Sequence, residues 1–293
     1  MISVFLTGHS GFVGQNFCNT FLNQFIIHKY DKNSNLQISS DIVLHCAGKS
    51  HDLNNNIEIK DYYEVNSEFT KKVFDSFLAS NATVFIFLSS VKAVADSVVN
   101  PLSETQFANP LTHFGKSKLL AEQYILLQKI PEGKRVYILR PCMIHGPGNK
   151  GNLNLLYKFI SNGIPWPLGA FENRRSFCSI DNLLFIINEL IVRNDIPSGI
   201  YNVADDIHLS TIEVIEIIAQ SQSRNSNIWK VSKRVIQLLA KIGDVVRLPL
   251  NSERLYKLTE TYIVNNQKIT SVLAKPLPVS SKEGLLKTFK SFN

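Results

Sequence analysis

Thr7-Gly8-His9-Ser10-Gly11-Phe12-Val13-Gly14 decides the fold. It follows Ile2-Ser3-Val4-Phe5-Leu6, a short β-prone run, and precedes Gln15–Leu22, where Phe17, Phe21 and Leu22 share one helical face. A strand, three glycines at three-residue spacing and a helix form a cradle for a dinucleotide pyrophosphate. The first glycine permits the tight turn, the second lets the backbone approach the phosphates, and the third lets the helix pack close to the strand. The N–H groups that open the helix then face the anion.

Outward from this motif, Gln24–Tyr30 reads as a second strand that ends at Asp31. An acid about 20 residues beyond the glycines is placed to bind the adenosine ribose hydroxyls. Asp31 thus favours NAD, while the adjacent Lys32 keeps NADP open. Lys32–Ser40 is too short to hold a helix and a strand before the next apolar run, Asp41–Gly48. The usual crossover is therefore expected to be trimmed and the adenine side to be open. A helix is predicted from about Tyr62 to Ser80, with Val65, Phe69, Val73, Phe74 and Phe77 at helical spacing and Asn66 interrupting the stripe. Ala82–Leu88 is almost continuously apolar, as expected of a strand buried on both faces, and ends at Ser89-Ser90. A helix from about Phe114 to Gln128 and a strand over Arg135–Arg140 follow. Alternation of this kind predicts an α/β fold, a Rossmann-like doubly wound parallel sheet whose ligand lies at the strands' C-terminal ends.

The C-terminal part is less regular. Helices are expected over Asp181–Arg193 and Thr211–Gln222, after the rigid loop Gly163–Gly169. Ile228–Ile242 mixes Trp229, Val231, Val235, Leu238 and Leu239 with Lys230, Lys233, Arg234 and Lys241. It reads as a helix that either packs on its own domain or rests weakly on a membrane surface. Residues 1–150 with about 176–208 are expected to form the dinucleotide-binding domain. About 151–175 with 209–293 would form a smaller substrate-binding lobe.

With 293 residues, 44% hydrophobic and 19% charged, the composition is that of a folded globular chain. No signal peptide is expected, because the residues before the motif form no basic and apolar leader, and no apolar run reaches membrane-spanning length. Cys18, Cys46, Cys142 and Cys178 are scattered, which suits reduced thiols in the cytoplasm better than a disulfide frame or a metal site. The net charge of +7 is uneven. Residues 221–293 hold 13 Lys/Arg against 4 Asp/Glu, a net of +9, leaving about −2 for the rest. The basic part fits either an anionic partner or a solvated face. No nucleic-acid motif accompanies it.

Four segments together resemble the extended short-chain dehydrogenases/reductases of the NAD-dependent sugar epimerase/dehydratase family. They are Thr7–Gly14, the strand ending Leu88-Ser89-Ser90, Phe114-Gly115-Lys116-Ser117-Lys118-Leu119-Leu120-Ala121-Glu122, and Leu139-Arg140-Pro141-Cys142-Met143-Ile144-His145-Gly146-Pro147-Gly148. Asn173–Leu183 adds an arginine-led segment before a helix. The chain is most similar to the bacterial surface-polysaccharide branch, whose members include UDP-glucose and UDP-N-acetylglucosamine 4-epimerases. The resemblance implies a UDP-sugar substrate, bound NAD and a homodimer joined through two long helices. An NAD(P)H-dependent UDP-4-keto-6-deoxy-hexosamine 4-reductase and a non-catalytic dinucleotide-binding protein are the alternatives.

It also implies roles for particular residues. Gly8, Gly11, Phe12, Val13 and Gly14 fall at the pyrophosphate turn, Asp31 at the ribose, and Asn66 beside the cofactor. Lys118 matches the lysine that holds the ribose and depresses the pKa of the family's catalytic tyrosine. Ser90 matches the hydroxyl that bonds the reacting sugar oxygen; Ser89 is second choice, because the loop that follows is one residue shorter than in typical epimerases. Arg175 matches the arginine that clamps the diphosphate, and Asn152 and Arg254 match further substrate contacts.

Position 114 departs from the family. Where a tyrosine is expected, four residues before Lys118, the chain has Phe114. Phenylalanine keeps the ring but deletes the oxygen that exchanges a proton. Three explanations compete. The preferred one is a deliberate one-atom deletion that traps substrate, since the surroundings look built for catalysis. A natural non-catalytic binder, or another group such as His113 in the tyrosine's place, would also account for it.

Overall fold

The computed structural model describes residues 1–50, 58–149, 151–246 and 251–292. In its first half, β1 (Ser3–Thr7), α1 (Phe12–Phe21), β2 (Ile26–Lys29) and β3 (Ile42–His45) are followed by α2 (Ile59–Tyr63), a π-turn at Glu64–Glu68 and α3 (Phe69–Ala79). Then come β4 (Val84–Leu88), a 3-10 turn at Val91–Ala93, α4 (His113–Leu127) and β5 (Arg135–Pro141). The second half holds β6 (Met143–His145), α5 (Asn152–Ser161), β7 (Phe177–Ser179), α6 (Ile180–Val192), β8 (Gly199–Val203) and α7 (Thr211–Ser221). It ends with α8 (Lys233–Val246), α9 (Ser252–Thr259), α10 (Gln267–Leu273) and α11 (Ser281–Lys290).

Six strands form one parallel sheet in the order β2-β1-β3-β4-β5-β8. Strand side chains point alternately to opposite faces, so a sheet covered on both sides needs apolar residues at every position. The chain supplies them. Val4, Leu6, Ile42, Leu44, Val84, Ile86 and Leu88 join one core, with Phe17 and Phe21 of α1, Leu183 and Ile187 of α6 and Ile269 of α10. The intervening Phe5, Val43, Phe85 and Phe87 join the other, with Phe74 and Phe77 of α3 and Ala121 and Ile125 of α4. This is the doubly wound sheet that the alternating pattern predicts.

The edge strand β2 is short and mostly exposed, and residues 30–41 connect it to β3 without a helix or strand. The trimmed crossover is therefore real. Because the chain leaves β1 for β2 on one side and returns to β3 on the other, the loops after β1 and β3 diverge. Such a switch point opens a crevice at the strand ends.

Beyond the sheet, β6 and β7 pair in parallel. Leu153 and Tyr157 of α5, Val214 and Ile218 of α7, and Leu285 and Phe289 of α11 form a further apolar core with Phe177. Trp166, Leu168, Ile215, Ile236, Ala240 and Leu255 form another beneath α8 and α9. The expected helix over Ile228–Ile242 is corrected here, since α8 begins only at Lys233. Ile228 and Lys230 instead bridge Trp166 and Leu168, and the Trp229 N–H donates to the Trp166 carbonyl at 2.8 Å. Among the described residues no helix is long and apolar enough to cross a membrane.

Candidate active site

The glycine turn at the end of β1 is sterically committed. Gly8 has φ +72°, and a Cβ there would come within 2.5 Å of the Ala47 amide nitrogen on the loop after β3. A Cβ on Gly14 would sit 2.2 Å from the Gly8 carbonyl oxygen. The Gly11 N–H donates to that same oxygen at 3.0 Å. Gly11 is the N-cap of α1 and offers no side-chain acceptor, so the opening amides of the helix, Phe12, Val13 and Gly14, have no side-chain cap. The turn fits a dinucleotide pyrophosphate, with uncapped N–H groups for the anion and no room for anything but glycine at two positions.

Behind the turn a buried chain of hydrogen bonds locks β1 to β3. The Thr70 hydroxyl donates to the Asn66 carbonyl at 2.8 Å, so it must accept from Nε2 of His45, also at 2.8 Å. His45 Nδ1 then accepts from the Thr7 hydroxyl at 2.6 Å. Burial, reinforced by nearby Lys118, pushes the His45 pKa down to about 3, so the ring is neutral. Its role is architectural, and the apolar run in which it sits gives no hint of it because Thr7 and Thr70 are distant in sequence.

Asn66 lies on the π-turn, a local widening of the helix often found at functional sites. Its Oδ1 accepts from the Lys49 N–H at 2.8 Å, and its Nδ2 donates to the Lys49 carbonyl and the Ser117 hydroxyl, each at 3.0 Å. Lys118 is buried, and its Nζ donates to the Leu88 carbonyl at 2.8 Å and lies 4.7 Å from the Phe87 ring centroid. A Cβ on Gly48 would be 3.1 Å from both Asn66 Oδ1 and Lys118 Nζ. The three residues thus converge. Burial brings the Lys118 pKa down to about 8, with Cys46 and Glu122 opposing the shift.

The two serines after β4 divide. Ser89 is buried, and its hydroxyl donates to Glu122 Oε1 at 2.5 Å, next to the buried Arg140–Glu122 ion pair. Ser90 is half-buried and caps the 3-10 turn by accepting from the Lys92 N–H at 3.2 Å. Of the two, only Ser90 has its hydroxyl outside the core. A Cβ on Gly115 would lie 2.3 Å from the Lys92 carbonyl, so the start of α4 rests on the turn that Ser90 caps. Phe114 precedes that contact point, half-buried, with its ring edge-on to Tyr62 at 6.4 Å. His113 is exposed and engages the Tyr63 hydroxyl through Nδ1 at 3.1 Å. His145 is fully buried between Thr288 at 2.9 Å and Asp205 at 3.4 Å.

Arg175 is held by main-chain bridges to Leu209 and Tyr262. Its Nε donates to the Glu260 carbonyl at 3.2 Å, Nη2 donates to the Lys257 carbonyl, and the Glu260 carboxylate stands 3.4 Å away. Burial lowers its pKa and Glu260 opposes that. Lys92, which the sequence reading passed over, shares this electrostatic neighbourhood. Its Nζ lies 4.1 Å from the Tyr262 ring centroid and donates to the Asp96 carbonyl at 2.8 Å. Burial lowers its pKa, Glu260 and Asp96 raise it, and Arg175 lowers it further. The available signal was its position two residues after Ser90.

The remaining expected residues lie apart. Asp31 is exposed at the end of β2, where its Oδ1 accepts from the Asn33 N–H at 2.9 Å. Asn152 opens α5 and Arg254 sits in the first turn of α9, both exposed. A cleft of about 610 Å³ lies away from Lys118, between α8 and α9.

Comparison with known proteins agrees with this geometry. Residues 4–204 match the NAD dependent epimerase/dehydratase family. A UDP-glucose 4-epimerase of Vibrio cholerae is 27% identical, covering 99% of this chain and 95% of its own length. The N-acetyl-alpha-D-glucosaminyl-diphospho-ditrans,octacis-undecaprenol 4-epimerase of Escherichia coli O157:H7 is 28% identical, covering 76% of this chain and 73% of its own. The UDP-glucuronic acid 4-epimerase of Bacillus cereus, solved with NAD, superposes with a TM-score of 0.76 at 16% identity, covering 99% of this chain and 96% of that one. That last likeness speaks to the fold. The family match spans more than half of the sequence, and the chain belongs to the NAD-dependent epimerase/dehydratase family.

Proposed function

We propose that this chain is a nucleotide-sugar 4-epimerase scaffold for a UDP-hexose or UDP-N-acetylhexosamine in surface-polysaccharide biosynthesis, with NAD, or alternatively NADP, as bound cofactor. One observation carries the reading. Buried Lys118 converges with Asn66 and Gly48 one helical turn after position 114, beside the turn that Ser90 caps. A bound nicotinamide supplies the hydride acceptor and donor in such chemistry.

The chain's own residues divide the remaining work. The amides of the Gly8–Gly14 turn hold the pyrophosphate and Asp31 the adenosine ribose. Asn66 and Lys118 fix the nicotinamide side, where the lysine charge favours an anionic oxygen nearby. The Ser90 hydroxyl hydrogen-bonds the reacting sugar oxygen, and Arg175 pairs with the diphosphate. Asn152 and Arg254 complete the substrate side. Residues 1–150 with about 176–208 would serve the cofactor, and about 151–175 with 209–293 the sugar nucleotide. A homodimer through the helical layer of α3 and α4 suits the exposed Leu126 and Leu127 of α4.

Phe114 removes the proton-exchanging oxygen. General acid–base groups contribute about 10²–10⁴-fold, or roughly 3–5.5 kcal/mol of barrier, so binding outlasts turnover in this chain. A second reading is favoured by the apolar, basic face of α8, which packs on α9, the helix whose Lys257 carbonyl Arg175 contacts: C4 inversion of a sugar on a polyprenyl diphosphate, the substrate class in the name of the E. coli relative.

The test is Phe114→Tyr supplied with UDP-glucose or UDP-N-acetylglucosamine and no added cofactor. Appearance of the C4 epimer supports the proposal. A strict need for stoichiometric NADPH would replace it with a 4-keto-sugar reductase, and no turnover of any carrier-linked sugar would leave only a dinucleotide binder.

A further inference from the structure

We infer that the outer face of α8 docks this protein on an anionic lipid surface. The helix divides its residues sharply. Ile236, Ala240 and Gly243, at i, i+4 and i+7, are buried against the lobe. Val235, Leu238, Leu239, Ile242, Val245 and Val246 form a second apolar stripe that faces outward, with Leu238 60% and Val245 82% exposed. Trp229, just before the helix, is also exposed, as is Tyr256 on the neighbouring α9. A surface helix normally turns one apolar stripe inward and polar residues outward. Here the outward stripe is apolar as well, beyond the Ile236, Ala240 and Gly243 that already face the lobe.

The charges say what covers it. Lys230, Lys233, Arg234 and Lys241 are exposed around this stripe. Arg234 and Lys241 also line the 610 Å³ cleft between α8 and α9 together with Leu238 and Tyr256. Over residues 228–246 and 251–259 there are six Lys/Arg and two Asp/Glu. Both acids are engaged locally: Asp244 accepts from the Ser252 hydroxyl at 2.6 Å, and Glu253 pairs with Lys257 at 2.6 Å. Long basic side chains flanking an apolar stripe, with a tryptophan at its end, complement a bilayer whose headgroups are anionic. A second copy apposed through the same stripe would bring the same basic rims together, which disfavours self-association.

The face also has a position that matters. Arg175 donates to the Lys257 carbonyl in α9, so the helix pair that would meet the lipid is hydrogen-bonded to the residue proposed to grip the diphosphate. Docking stands whichever carrier the sugar is on, and its test is independent of turnover.

The full chain is floated with phosphatidylglycerol-rich vesicles and with pure phosphatidylcholine vesicles at low and high salt. Expected is flotation with the anionic vesicles that salt reverses, and a blue shift of Trp229 emission on binding, Trp166 being buried already. Neutralising Lys230, Arg234 and Lys241 to Gln should weaken binding roughly tenfold or more. L238E/I242E should abolish it while keeping the circular dichroism spectrum, since both side chains are exposed. The inference is overturned by a chain that stays soluble with anionic vesicles. It is equally overturned by flotation indifferent to L238E/I242E, or by a double variant that only converts a dimer to a monomer, which would identify a second copy as the occupant.

Discussion

The ammonium of Lys118 donates to the main-chain carbonyl of Leu88 at 2.8 Å, pinning α4 to the last residue of β4. Serines 89 and 90 follow directly, so this bond ties the buried cation to the strand end that carries the hydroxyl proposed to meet the substrate. The cost of that burial is measurable. Lys118 has its pKa lowered from the ordinary 10.5 to about 8, chiefly by loss of solvent. Between about pH 8 and 10.5 the folded chain therefore holds fewer protons than the unfolded one, and stability rises with pH across that window. Below about pH 8 both states are protonated and the penalty, on the order of 3 kcal/mol, is felt in full. Lys118→Met should be more stable than the parent at pH 7, with the difference shrinking towards pH 10.5 in urea titrations.

Gly14→Ala should destabilise the fold by about 1–3 kcal/mol, the range for inserting a methyl group where none fits, because that methyl would sit 2.2 Å from the Gly8 carbonyl oxygen. Dinucleotide affinity should fall with it. Urea midpoints and a cofactor titration check the two effects separately.

Glu122 is the hub of a buried polar cluster, accepting from Ser89 and paired with Arg140. Glu122→Ala leaves a buried guanidinium uncompensated and should cost about 3–5 kcal/mol. Chemical denaturation measures it. A loss below 1 kcal/mol would mean that water reaches Arg140.

The two neighbouring serines should separate cleanly. Ser89→Ala removes a bond to Glu122 and should lower stability by about 1–3 kcal/mol. Ser90→Ala loses only the cap on the 3-10 turn and should lower stability by no more than about 1 kcal/mol. In a Phe114→Tyr background, however, it should reduce kcat/KM by about 10²-fold or more, as expected when a group that bonds the reacting oxygen is lost. Equal effects on stability and turnover from both variants would contradict the assignment.

The sequence was most legible where the determinants are local. The glycine turn is spelled out by sterics over eight residues, and β3 and β4 announce themselves as apolar runs because both faces of the sheet are covered. The roles proposed for Lys118 and Ser90 come from short motifs and the resemblance those motifs carry. In the helical period Asn66 reads only as a break in an apolar stripe, and only the family resemblance sets it beside the cofactor; its hydrogen bonds depend on a π-turn and on Lys49 and Ser117, which the period does not encode. Lys92, Glu260 and Tyr262 meet Arg175 only through bridges between distant segments. The start of α8 was misplaced for the same reason, since residues 228–230 are extended by pairing with Trp166 and Leu168 rather than by any preference of their own.

The most direct measurement is a titration of the unmodified protein with NADH and NADPH, followed by nicotinamide fluorescence, with Gly14→Ala as the control. The account predicts saturable binding of at least one of them in the parent and strong weakening in the variant. A parent chain with no measurable affinity for either would contradict it, whatever the quality of the sheet and its glycine turn.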